Sequence, residues 1–178
     1  MNIIVVYNSK TGFTKRYAEW IAEELKCRIL PYQDFSKPVV EQNDIVIFGS
    51  RVHAGKIEYL DKVKGMFRDR PGQSLIVFAT GATPAAAENA INKIWADNFT
   101  ETESIPRFYL QSGLNYEKMG VADRTIMKGV AKLLGKKKDK NEERAGFEAA
   151  IRGSYDSSSK DFIAPLTEFV QERITDGL

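Results

Sequence analysis

The sequence predicts a doubly wound α/β fold: an open sheet of five parallel strands in the order 2-1-3-4-5, with helices on both faces. Three observations predict it. Short apolar runs of strand length recur through the first 110 residues. Segments with helical spacing separate them, the signature of βαβ units and a parallel sheet. A polar loop containing a glycine joins the first run to the first helix, at the sheet edge where folds of this class bind ligands.

Ile3-Ile4-Val5-Val6-Tyr7 is apolar at successive positions, as a strand buried on both faces requires. Phe13, Tyr17, Trp20, Ile21 and Leu25 recur at helical spacing, giving a first helix over 13–26 with Trp20 in the core. Arg28-Ile29-Leu30 reads as a short second strand, and Asp44 to Gly49 as a third. A loop over 50–55 and a helix from about Lys56 to Phe67 follow, then a turn at Pro71-Gly72. Ser74 to Ala79 is the fourth strand, Thr80 to Pro84 a loop, and Ala85 to Phe99 a helix placing Trp95 and Phe99 on one face. Pro106 to Leu110 is the fifth strand. Residues 119–134 then read as a helix covering the sheet, and Ser154 to Ser159 as a loop. A last helix over Lys160 to Ile174 turns Phe162, Leu166, Phe169 and Val170 toward the sheet.

The 178 residues are 43% hydrophobic and 28% charged, which suits one core and excludes a disordered chain. The chain reads as one domain over 1–178, with a basic insertion or mobile segment near 135–159. Cys27 is the single cysteine, so an intramolecular disulfide framework is excluded and a reducing compartment is expected; Cys27 itself reads as a small hydrophobe. No apolar run reaches the roughly 18 residues of a membrane span, and the start lacks signal-peptide features, so a cytoplasmic location is expected.

The net charge of +2 hides a local bias. Residues 124–140 hold seven basic residues and one acidic residue, whereas 1–123 are balanced. Within this segment Ile126, Met127, Val130, Leu133 and Leu134 oppose a stripe of Arg124, Lys128 and Lys132, and Lys136-Lys137-Lys138 extends the charge. Such a helix can lie on an anionic membrane, so peripheral membrane contact through 124–138 is one expectation and a solvated helix face the other. Nucleic acid is not expected as a partner: the basic run lacks interleaved aromatics and the rest of the chain is not basic.

The loop after the first strand is Asn8-Ser9-Lys10-Thr11-Gly12-Phe13-Thr14. Its helix N-terminus offers free N–H groups to an anion, Ser9, Thr11 and Thr14 add hydroxyls, and Gly12 allows close approach. With Lys10 as its one basic residue, it reads as a phosphate cradle built mainly from neutral donors. Competing nucleotide motifs are absent. No G-x-G occurs, and Gly49 to Ile57 has the wrong glycine spacing for a P-loop and lacks its Ser/Thr. Asn8-Ser9 and Gly49-Ser50 stand where a receiver-domain regulator would carry acidic residues.

Ser9-Lys10-Thr11-Gly12-Phe13-Thr14 resembles the S/T-x-T-G-x-T phosphate loop of flavodoxins, which bind FMN. The resemblance implies FMN as cofactor, with Ser9, Lys10, Thr11, Gly12, Phe13 and Thr14 around its phosphate. It implies that Ser50, Arg51, Val52, His53, Ala54 and Gly55, together with Thr80, Gly81, Ala82 and Thr83, clasp the flavin ring. Neither ring loop carries an aromatic residue other than His53. His53, the only histidine, is the candidate catalytic residue at the flavin edge; the alternative is an exposed loop histidine. Arg51 and Lys56 would set positive charge beside the ring and raise the potential of its anionic reduced form. Tyr116, after the fifth strand, either covers the flavin or caps the sheet.

Gly113-Leu114-Asn115-Tyr116 and Asp123-Arg124-Thr125-Ile126-Met127-Lys128 resemble the quinone-dependent protoporphyrinogen oxidase branch of the flavodoxin superfamily. That resemblance implies an electron carrier or flavin-dependent oxidoreductase, with a redox partner protein or a small-molecule or quinone acceptor. The competing expectation is a flavodoxin-fold interaction or regulatory module without bound flavin.

Overall fold

The computed structural model describes residues 1–67, 72–136 and 153–175, without the side chains of Lys128 and residues 130–136. In chain order the elements are β1 (Ile3–Asn8), α1 (Phe13–Glu24), β2 (Arg28–Pro31), α2 (Lys37–Glu41), β3 (Ile45–His53), β4 (Lys56–Ile57) and α3 (Leu60–Phe67). There follow β5 (Ser74–Gly81), α4 (Glu88–Asn98), β6 (Arg107–Gln111), β7 (Gly113–Leu114), α5 (Val121–Lys136), β8 (Tyr155–Asp156) and α6 (Ala164–Thr175). The main sheet runs β2-β1-β3-β5-β6, all parallel, which is the predicted order.

Alternation along the strands builds two cores. Ile4, Val6, Val46, Phe48 and Val77 face one layer, where Val40 of α2, Leu60 and Val63 of α3, and Ile94 of α4 meet them. Val5, Ile47, Ile76 and Phe78 face the other, against Tyr17 and Ile21 of α1 and Leu166 and Val170 of α6. Burying each such side chain contributes roughly 1.5–3 kcal/mol. Trp20 and Cys27 pack at the edge of the second core, and Trp95 and Phe99 meet edge to face at 5.9 Å.

The structure corrects several boundaries. β3 continues past Gly49 to His53 and turns back through Ala54-Gly55 into β4, so residues 50–55 are a hairpin rather than an open loop. Ala54 and Gly55 have φ 50 and 81, the left-handed pair of a two-residue type I′ turn. Ala-Gly lacks the usual Asn-Gly signature, which is why the sequence read a loop and an earlier helix start. β5 likewise extends to Gly81, α4 starts at Glu88, and α2 was not predicted. In the 135–159 segment, residues 137–152 lie outside the described residues, but Tyr155–Asp156 forms a strand paired with β7. Among the described side chains, those of α5 join neither main-sheet core. Met127 joins Ala82, Tyr116, Met119 and Tyr155 around Leu114, while Ile126 is exposed.

Candidate functional site

The carboxyl ends of β1, β3 and β5 stand side by side, and each leads into one of the predicted loops. In the first, Gly12 precedes α1 with φ +99, a conformation that disfavours a side chain. Its N–H donates to Ser9 Oγ at 3.2 Å, so Ser9 pins the loop from within. Thr14 is buried, and its hydroxyl bonds Thr80 at 2.8 Å, fastening this loop to the end of β5. That contact uses one side of each hydroxyl, since a hydroxyl both donates and accepts. Phe13 is buried in the core beneath, leaving the first-turn amides and Thr11 to face a ligand.

The β3–β4 hairpin is fixed by polar clamps. Asn98 accepts from Ile57 N–H and donates to Gly55 C=O, holding the turn on α4. Val52 pairs with Ile57 and packs on the first core. Asn8 donates to Ser50 Oγ at 3.1 Å and to Glu58 Oε2 at 3.0 Å. Arg51 donates to Glu58 at 2.7 Å and to Asp123 at 3.1 Å. Lys10 reaches the same Asp123 oxygen at 3.0 Å, and His53 Nε2 lies 3.1 Å from the other oxygen. Burial opposes ionisation of Asp123, but the bonds from Lys10 and Arg51 outweigh it and hold the carboxyl down at about 2. Burial likewise opposes ionisation of Glu58, and Arg51, Asn8 and His53 bring its pKa below the ordinary value.

At the third loop, Tyr109 donates to Thr83 C=O at 3.1 Å and Tyr155 to Ala82 C=O at 3.3 Å. Burial pushes the Tyr109 hydroxyl far above its usual pKa, so it remains a donor. A Cβ on Gly81 would fall 2.7 Å from that hydroxyl, so this position needs glycine. Tyr116 packs near Ala82 and Tyr155, above the end of the sheet.

Cavities of about 490 and 260 Å³ flank Gly12, both lined in part by Lys118. A larger space of about 970 Å³ lies at the opposite end of the sheet, among Asn2, Cys27 and Asp44, away from all three loops. The sequence reading missed Asn8, Glu58, Asn98 and Lys118 as site residues. It noted Asp123 only within a motif. Nothing local in the sequence marks Glu58 or Asn98, because their partners are brought in by the hairpin.

The donor set fits FMN. Helix amides and a left-handed glycine suit a phosphate. Arg51 Nε and His53 Nε2 are buried without a hydrogen-bond partner, and they suit the acceptor edge of a flavin ring. His53 Nε2 is within ion-pair distance of Asp123 but outside hydrogen-bond geometry.

A flavodoxin-domain family model matches residues 4–141. Similar solved structures include a flavodoxin from the domain Archaea, at 19% identity and TM-score 0.41, covering 62% of this chain and 85% of that one. Flavodoxin 1 from Bacillus cereus is similar at 16% identity and TM-score 0.41, covering 77% and 99%. Megasphaera elsdenii flavodoxin is similar at 14% identity and TM-score 0.42, covering 85% and 99%. No curated protein matches the chain. The family match spans the sheet and all three loops at its carboxyl edge, and on that ground the chain belongs to the flavodoxin family, with FMN as its cofactor.

Proposed function

We propose that FMN sits with its phosphate on Ser9–Thr14 and its ring between the 50–55 hairpin and Thr80–Thr83, and that the chain passes electrons to a quinone or a redox partner protein. The flavin supplies the redox chemistry when bound. The α1 amides bind the phosphate, Gly12 lets it approach, and His53 stands beside the ring. The observation carrying the reading is the pair of buried, unpartnered donors, Arg51 Nε and His53 Nε2, next to an amide-lined cradle.

A protoporphyrinogen oxidase-like, quinone-linked activity is the finer part of this proposal. Its support is the Asp123-Arg124 segment, which meets Lys10 and Arg51 directly. Peripheral membrane contact through 124–138 is a further part, supported by Val121 and Ile126, exposed on the same helix as Arg124. The side chains of Lys128 and Lys132, and residues 137 and 138, lie outside the described residues, and no described helix is long and apolar enough to cross a membrane.

The first test is a visible spectrum after reconstitution, followed by mixing the reduced protein with a water-soluble quinone in a stopped-flow instrument. Bound flavin bands near about 450 nm and reoxidation by quinone faster than by dissolved oxygen are expected. No retained flavin would leave a flavin-free interaction module. Retained flavin that quinone does not reoxidise would exclude the quinone and favour a protein partner. Co-sedimentation with anionic liposomes at low salt tests the membrane contact, and absence of binding excludes it.

A further inference from the structure

We propose that Asp123 is a clasp: it ties the strap formed by residues 115–124 across both flavin loops, and its release opens the site. The inference rests on the flavin-site reading given above.

The near end of the strap is anchored by strand pairing. β7 pairs with β8 at Gly113–Asp156 and Leu114–Tyr155, and a Cβ on Gly113 would fall 2.0 Å from Tyr155 C=O. From there the chain turns tightly. Lys118 and Met119 N–H both donate to Asn115 C=O, and Arg124 donates back to Glu117 C=O at 3.0 Å. The turn is set against the phosphate loop. A Cβ on Gly12 would lie 3.7 Å from Lys118 Nζ, and one on Gly120 would lie 3.4 Å from Lys10 Nζ.

At the far end, one carboxylate makes the attachment. Asp123 is 7% exposed. It accepts hydrogen bonds from Lys10 of the phosphate loop and Arg51 of the ring hairpin, and His53 Nε2 lies 3.1 Å from its other oxygen without hydrogen-bond geometry. One residue thus couples Lys10 and Arg51, which are 41 residues apart in sequence. Among the described residues, Tyr116, Met119 and Met127 pack around Leu114, while Val121 is 81% exposed and Ile126 50%. Charge-assisted bonds to a nearly buried carboxylate are the stronger kind. The strap's closure therefore depends on Asp123 more than on packing. Asp123 is a positioning residue in this account and takes no part in the redox step.

The test compares the parent with Asp123→Asn in two ways. Hydrogen exchange is followed over 115–127 in the flavin-free protein, and dissociation rates are measured for FMN and for riboflavin, which lacks the phosphate. Loss of the clasp is expected to raise exchange in 115–127 about tenfold and to speed release of both flavins about tenfold. Unchanged exchange overturns the proposal. So does slower release of FMN with riboflavin unaffected, because that pattern means the carboxylate competes with the phosphate rather than holding the strap. Lys10→Met removes one partner of the clasp and serves if Asp123→Asn does not fold. It is expected to raise strap exchange by a smaller factor, and no rise overturns the proposal. If the parent retains neither flavin, the flavin-site reading fails, while the exchange comparison still decides the clasp.

Discussion

Gly49, on β3 just before the 50–55 hairpin, is a position where the core leaves no room for a side chain. It lies on β3 in register with Phe78 of β5, and Phe78 is fully buried. A Cβ at Gly49 would fall 1.9 Å from Cζ of that ring and 2.3 Å from Cε1. No rotation of a methyl group relieves such an overlap, so the ring must leave its place. That place is walled by the second core, with Tyr17, Ile47 and Ile76 around it. Gly49→Ala is therefore expected to cost about 2–3 kcal/mol, the upper part of the range for overpacking a filled core. For a chain of this length that lowers the melting temperature by about 4–12 °C. Differential scanning calorimetry on the flavin-free protein reads this directly. Phe78→Leu shortens the obstructing side chain, so the double variant Gly49→Ala/Phe78→Leu should lose at least about 1 kcal/mol less than the two single losses added. A Gly49→Ala protein melting within about 1 °C of the parent would refute the overlap and the packing argument built on it.

Three further outcomes are expected. Thr14→Val leaves the buried Thr80 hydroxyl without its partner and should cost about 1–3 kcal/mol in urea unfolding, most of it recovered in Thr14→Val/Thr80→Val. Ala54→Asn gives the type I′ turn its preferred residue at φ 50 and should stabilise by about 0.5–1 kcal/mol; a lower melting temperature would contradict the turn assignment. Asp123 titrates at about 2 in the folded chain against an ordinary 3.8. A depressed carboxyl pKa contributes stability that is full above about pH 4 and lost as pH falls toward about 2. The melting-temperature gap between the parent and Asp123→Asn should therefore narrow over that window, and a gap that stays constant would show that the ion pairs are not the source.

How much of this was legible in the sequence follows from the range of the forces involved. β1, β3 and β5 announce themselves because strands buried on both faces must be apolar at consecutive positions, as in Ile45-Val46-Ile47-Phe48. The phosphate loop is legible because one glycine, several hydroxyls and a following helix are all local. The β3–β4 hairpin is not, because Ala54 is an uncommon residue at a left-handed turn position and the clamp on the turn comes from Asn98, 43 residues from Gly55. β7 and β8 are two residues each, too short for any period to show, and their pairing spans the stretch outside the described residues. The spacing marks Thr14 as a phosphate-loop residue, but it does not reveal that its hydroxyl also bonds Thr80, a partner 66 residues away.

The same limit applies to the charge beside the ring, where the sequence predicted a positive field from Arg51 and Lys56. Arg51 is paired with both Glu58 and Asp123 and is 15% exposed. Lys56 Nζ donates to Asp97 C=O, next to the Asn98 clamp. Lys10 and Arg51 are thus paired with Glu58 and Asp123, and these carboxylates would offset an upward pull on the potential of a flavin bound here. Removing one of those carboxylates should restore the pull. Asp123→Asn leaves Arg51 with Glu58 alone and Lys10 without its partner, so the anionic reduced flavin gains stabilisation and the midpoint potential moves to less negative values. Asp123→Glu keeps the charge and should leave the potential near the parent's while still disturbing the strap. A spectroelectrochemical titration separates the two effects. If Asp123→Asn and Asp123→Glu shift the potential equally, strap geometry and not charge governs it, and the electrostatic account of the site is wrong.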